Sequence, residues 1–215
     1  AYLTENADGI RQDWPRVPLP ATKDALLASA ALGRQVAALL DTETPVPGVT
    51  CGAIREDLKA VAVFTRTDGQ PVNPDAGDLD LTAGWGHAGK GGVTMPGRGR
   101  VERTEDGGRR AEGGGLRSED GGRRAEGGEQ KSADHGVTPA SDFRPPASGL
   151  DIYLNGQTYW RNVPVPVWEY TIGGYQVIKK WLSYREKPLL GRGLTVAEVR
   201  YVTETARRIA ALLAL

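Results

Sequence analysis

Apolar and polar positions divide the chain into two patterned stretches separated by one without pattern. In the first, Lys23–Leu40 is predicted to be a helix. Thr22 supplies an N-cap, and Asp24 suits the positive end of the helix dipole. Leu26, Ala30, Ala37 and Leu40 share one face, with Leu32, Val36 and Leu39 beside it. So wide an apolar arc predicts a mostly buried helix, which Pro45 and Pro47 end. Ahead of it, Trp14–Pro20 (WPRVPLP) is held extended by its prolines. Lys59–Arg66 (KAVAVFTR) reads as a strand. Asp78–Thr82 (DLDLT) alternates as a half-exposed strand does, and a further strand falls around Val93, Thr94 and Met95. Asp68-Gly69 and Asn73-Pro74 mark turns between them.

The second stretch opens at Leu150. Asn155-Gly156 joins Asp151–Leu154 to Gln157–Trp160 as a hairpin. A helix is predicted over about Ile172–Lys187. A last helix starts at Thr195, which forms a capping box with Glu198. Val199, Val202, Ala206, Ile209 and Leu213 give it a stripe, and Glu204 is spaced to pair with Arg208 on the outer side. These elements define an α+β fold, a small strand assembly with flanking helices.

Between the two stretches, RTEDGGRRAEGGGL (Arg103–Leu116) is followed by RSEDGGRRAEGG (Arg117–Gly128), a repeat with a fourteen-residue period. It holds one leucine and no aromatic residue, so it cannot bury enough surface to offset its ordering entropy. Residues 104–148 therefore read as a disordered low-complexity insertion. The organisation is 1–103, insertion, then 149–215.

Composition narrows the chemistry. Lys+Arg and Asp+Glu both number 27, so no global basic field attracts nucleic acid. Locally, Asp151–Leu215 carries nine Lys/Arg against five Asp/Glu. Cys51 is the only cysteine, which makes no intrachain disulfide and points to the reducing cytoplasm. With His87 and His135 the only histidines, no metal site is expected. No apolar run of about 18 residues exists, so no membrane span is expected. The chain opens at Ala1 with residues that read as the interior of a longer protein, although removal of an initiator Met gives the same start.

Two segments are candidates for binding. Gly84–Gly91 (GWGHAGKG) satisfies GxGxxG and the first seven positions of a P-loop, but Gly91 stands where Ser or Thr should hold magnesium. Both motifs need a helix directly afterwards, and GVTMPGRGR cannot form one. The segment is either an ordinary glycine-rich loop or a backbone-exposing loop carrying Trp85, His87 and Lys90 beside DNA. In the second segment, Gln176, Lys179, Lys180, Ser183 and Lys187 share a face of the predicted helix. Gly173-Gly174 at its start would expose bare amides to a phosphate. Gln can read adenine, and lysines hold phosphates. The competing reading is a solvated polar face on an amphipathic helix. No catalytic constellation stands out. The only Pro-Pro, in Arg144-Pro145-Pro146-Ala147, lacks the polar first and aromatic last residues of an amino-methyltransferase tetrapeptide.

ENADGIRQDWPRVPLP, TAGWGHAGKGGVTMPG and YWRNVPVPVWEYTIGGYQVIKKWLSYRE together resemble the C-terminal specificity region of type ISP restriction–modification enzymes and related single-chain adenine-specific DNA methyltransferases. The resemblance covers Ala1 to about Arg103 and Asp151 to Leu215. It implies double-stranded DNA as a partner and an upstream methyltransferase domain of the same polypeptide, where S-adenosylmethionine would bind. This chain would itself hold no cofactor. Two alternatives stand beside it. One is a protein-interaction or scaffold fragment without DNA binding, suggested by the zero net charge and the last helix's stripe. The other is a nucleotide-binding enzyme, resting only on Gly84–Gly91.

Overall fold

The computed structural model describes residues 20–104 and 149–215. Helix α1 (Lys23–Leu40) and a short α2 (Glu56–Lys59) precede β1 (Val63–Arg66). A small hairpin of β2 (Gly86–Ala88) and β3 (Thr94–Pro96) follows, then β4 (Val101–Arg103). The second half contains β5 (Leu150–Tyr153), β6 (Thr158–Val163), α3 (Val165–Trp168) and a two-residue hairpin, β7 (Thr171–Ile172) and β8 (Tyr175–Gln176). Helices α4 (Val177–Ser183), α5 (Lys187–Leu190) and α6 (Val196–Leu213) complete the described chain. This is the expected α+β arrangement of small sheets with flanking helices.

The main sheet is antiparallel with the order β1-β6-β5-β4, so the strands flanking the insertion share one sheet with β1. Alternation along β6 buries Thr158 and Trp160 and leaves Arg161 exposed. Asn162 then takes a positive φ of 57°, where the pairing with β5 shifts register, and this bulge returns Val163 to the core. Trp85, Trp160, Leu58, Leu81, Leu154 and Leu182 are fully buried. Trp85 meets Trp168 edge-on at 5.2 Å, and its Nε1 donates to the Tyr153 carbonyl at 2.7 Å. The Asn155 turn works as a clamp: its Oδ1 accepts from the Gln157 and Thr158 amides, while its Nδ2 donates to the Asp78 and Asp80 carbonyls.

Three local expectations need correction. Asp78–Thr82 forms no strand. The Asp78 carbonyl is taken by the Thr158 hydroxyl at 2.7 Å, and the Leu79 and Leu81 carbonyls by the Leu194 and Lys187 amides, so no ladder partner is left. The buried Asp78 carboxylate pairs instead with Arg66 at 2.6 Å. Helix α1 is not mostly buried: Leu39 alone is core, while Leu26, Leu27, Leu32 and Leu40 stay about half exposed. Among the described residues it is fastened at its C-terminal end. There the buried Arg208 donates to the Ala38 carbonyl, which the helix terminus leaves orphaned, and to those of Asp41 and Thr44 just beyond, at 3.0, 2.7 and 2.6 Å. Arg208 therefore does not sit on the outer side to pair with Glu204. The capping box of α6 forms as expected, reinforced by Arg192 on the Glu198 carboxylate at 2.7 Å.

Residues 105–148 lie outside the described residues, so the reading of them as disordered is not addressed by the fold. Their flanks meet: the Thr104 amide donates to the Gly149 carbonyl at 2.9 Å, and the Thr104 hydroxyl to Asp151 at 2.6 Å. Topologically the insertion is the loop of a β4–β5 hairpin. Replacing 105–148 with Asn-Gly, which closes a two-residue hairpin, is expected to keep the sheet and, if the replaced residues make no contacts of their own, stabilise the chain by about 3 kcal/mol through the shorter loop closure. Urea denaturation of both chains checks this. A loss of stability would mean that residues 105–148 make contacts of their own.

Candidate nucleic-acid interface

The glycine-rich Gly84–Gly91 segment does bind an anion, but the anion belongs to the protein. Glu186, only 4% exposed, accepts from the Trp85 amide, and the neighbouring Gly84 and Gly86 amides also favour its ionised form. Three successive amides converging on one carboxylate form a backbone nest, the geometry a phosphate loop uses. Gly84 reaches it with a φ of +80°. Gly86 is glycine for a separate reason: a Cβ there would lie 1.8 Å from the Ser183 carbonyl oxygen. The nest thereby locks hairpin β2–β3 against α4 and the start of α5. Burial pushes the Glu186 carboxyl above its ordinary value of 4.5, and the amides, which favour the ionised form, act against that rise.

The predicted helix over Ile172–Lys187 is broken into three parts. Gly173 and Gly174, both at positive φ, form the tight turn between β7 and β8 and do not open a helix. Helix α4 begins only at Val177. Gly174, Tyr175, Gln176, Lys179 and Lys180 line one hollow of ≈ 180 Å³ together with Pro96 of β3. The Lys180 ammonium lies over the Tyr175 and Tyr184 rings at 4.8 and 4.6 Å, which holds the flexible side chain between two aromatic faces. Gln176 Nε2 donates to the Trp168 carbonyl at 3.3 Å, so one of its amide hydrogens is committed inside the fold. His87 and Lys90 are exposed on the β2–β3 hairpin, which packs on the same helix α4.

Three of the expected contact residues lie elsewhere. Trp85 is fully buried, so its ring does not face solvent. Ser183 is also fully buried, its hydroxyl donating to the Lys180 carbonyl at 2.8 Å. Lys187 belongs to α5, where its ammonium pairs with Asp80 at 2.6 Å. The assumption of one continuous helix placed Ser183 and Lys187 on a common face, and the turn at Tyr184–Glu186 removes that face.

One surface was not anticipated. The outer face of the main sheet forms a groove of ≈ 620 Å³ lined by Arg100, Arg103, Arg161, Tyr153, Tyr159, Thr67, Glu102 and Asp151. Its signal in sequence is slight. Alternation in TYWRNV places Tyr159 and Arg161 opposite the buried Thr158 and Trp160, but pairing with Arg100 and Arg103 requires the sheet order.

Among the described residues no group of His, Cys, Asp and Glu could hold a metal ion, and no helix is long and apolar enough to cross a membrane. A small α+β module presenting exposed lysines and arginines, with its nest filled from within, is a binding module in form. The chain belongs to the type ISP C-terminal specificity domain family, whose model matches residues 1–209. Its role is target recognition in restriction–modification. No curated protein and no solved structure matches it.

Removing the internal anion tests the architecture. Glu186→Ala leaves the buried Trp85 amide without its acceptor and is expected to cost about 2 kcal/mol. Glu186→Gln cannot titrate. Because the folded carboxyl sits above its unfolded value, its contribution is complete below pH 4.5 and is lost as pH rises through the folded value. Wild-type stability measured relative to E186Q is thus expected to fall as pH rises above 4.5. A rise with pH in urea titrations would contradict the buried placement.

Proposed function

We propose that this chain is the DNA target-recognition part of an adenine-specific methyltransferase or restriction–modification enzyme. Methyl transfer, with S-adenosylmethionine, then belongs to a methyltransferase portion of the same polypeptide. The specificity-domain match over residues 1–209 carries this reading. A flipped adenine is handled by the catalytic portion, while the specificity part grips the duplex beside it.

The grip falls to the corner where α4 meets the two small hairpins. Lys179 and Lys180 point to phosphate, His87 and Lys90 extend the same surface, and the Gly173-Gly174 turn lets a strand approach the backbone closely. Gln176 keeps its amide oxygen and one N–H for adenine while the other N–H holds the Trp168 carbonyl. A protein-contact role is favoured by one separate observation, the exposed Leu26, Leu27, Leu32 and Leu40 of α1. That surface is compatible with docking on the enzyme portion, and it offers no phosphate contact.

A fluorescence-anisotropy salt titration with a labelled duplex tests the grip. Lysines that neutralise phosphates contribute about one unit each to the slope of log affinity against log salt. K179A/K180A is expected to weaken binding of every duplex alike and lower that slope by about 2. A folded double variant with unaltered affinity and slope would remove the corner from the interface.

A further inference from the structure

The groove on the outer face of the main sheet differs in chemistry from the lysine corner. A phosphate grip calls for charge of one sign. Here three arginines are interleaved with Glu102 and Asp151, whose carboxylates would repel a phosphate backbone. The acidic groups are also fixed in place. Glu102 accepts from Arg100 at 2.7 Å and from the Tyr153 hydroxyl at 2.9 Å, and Asp151 from the Thr104 hydroxyl and the Asn162 amide. Arg100 is thereby pinned over the Tyr153 ring at 3.9 Å, and Tyr153 stacks on Tyr159 at 5.0 Å. Burial and the neighbouring Glu102 push the Tyr153 phenol up to about 12, so it stays a donor throughout the physiological range.

Around this rigid frame, Arg103 and Arg161 are exposed, with no ion-pair partner among the described residues. Guanidinium groups standing on strands, amid fixed donors and acceptors, suit planar bidentate recognition better than a diffuse charge contact. The planar target in duplex DNA is the O6/N7 edge of guanine. We propose that this sheet face is the base-reading surface of the domain, with Arg103 and Arg161 reading guanine edges while the lysine corner holds phosphates.

Chain geometry brings the two surfaces together. Pro96 borders the lysine hollow and Arg100 lines the groove. Four residues of backbone span at most about 14 Å, so the edges of the two surfaces lie within a distance comparable to the roughly 12 Å width of a major groove. The exposed Arg98 lies between them.

This inference rests on the target-recognition reading, and selection from a random duplex library by the 215-residue chain separates the two. Wild type is expected to enrich a sequence containing guanine at fixed positions. Arg161→Lys keeps the charge but loses the planar fork. It is expected to lose preference for guanine at one position roughly tenfold or more, with the salt slope unaltered. R103A/R161A is expected to relax two positions. A wild-type chain that enriches no sequence would overturn target recognition itself. If wild type enriches a sequence and both folded variants, verified by circular dichroism, enrich the same one, the base-reading assignment is overturned. Uniform weakening with a lower salt slope and an unaltered sequence would overturn it too, making the arginines phosphate contacts.

Discussion

The interaction on which the candidate interface depends is the Glu186 carboxylate inside the Gly84–Gly86 backbone loop. Hairpin β2–β3 has strands of three residues, and a two-stranded hairpin of that size has no stability of its own. It needs an anchor, and a buried carboxylate beside three amides supplies one while satisfying the Trp85 amide, which burial would otherwise leave unpaired. The surrounding glycines serve that approach. A Cβ at Gly97 would meet the Gly84 carbonyl at 2.0 Å, and one at Gly99 the Trp85 ring at 2.2 Å. Trp85 is drawn inward by the same loop. Its burial makes the loop part of the core and leaves His87 and Lys90 outside.

A second constraint is the sheet order. With β6 between β1 and β5, residues on either side of the insertion complete one core. Thr104 and Gly149 are hydrogen-bonded, so whatever lies between them interrupts no strand pairing. Helix α1 is attached on a different principle. Its outer turns bury nothing among the described residues, and it is held where Arg208 gathers the carbonyls at its end. Hydrogen bonds from a charged donor to carbonyls are directional and strong. They fix the position of a helix end without giving its leucines any cover.

Local signals with a mechanism were the ones legible in the sequence. The Asn155-Gly156 turn, the Thr195/Glu198 capping box and the limits of Lys23–Leu40 each depend on a few neighbouring residues, and each is present. The failures share a different cause. Asp78–Thr82 has strand-like alternation, but its carbonyls are claimed by Thr158, Asn155 and Leu194, far away in sequence. Ile172–Lys187 has helical spacing, but Gly173-Gly174 belong to a hairpin and Glu186 is pulled into the nest. Arg208 looked solvent-facing because helical spacing shows only neighbours on the same helix. The GxGxxG spacing lacks a following helix, and nothing near it in sequence points to Glu186, about a hundred residues later, as the group its Trp85 amide meets. The sheet-face groove draws on three strands and the residue after β1, and no single window of sequence contains it.

A net charge of zero bears on how such a domain can discriminate. Without a long-range field, it gains little affinity for arbitrary DNA. What governs target choice is the ratio of specific to non-specific binding, and weakening the second raises that ratio as surely as strengthening the first. The carboxylates in the arginine groove fit this logic: Glu102 and Asp151 penalise a phosphate backbone lying where a base edge should. Lys179 and Lys180, the latter held between two aromatic rings, have no such acidic residue in the lining of their hollow. On the proposed reading, positioning and discrimination are separated in space, joined by the short Pro96–Arg100 run, and set by two kinds of cation suited to two kinds of contact.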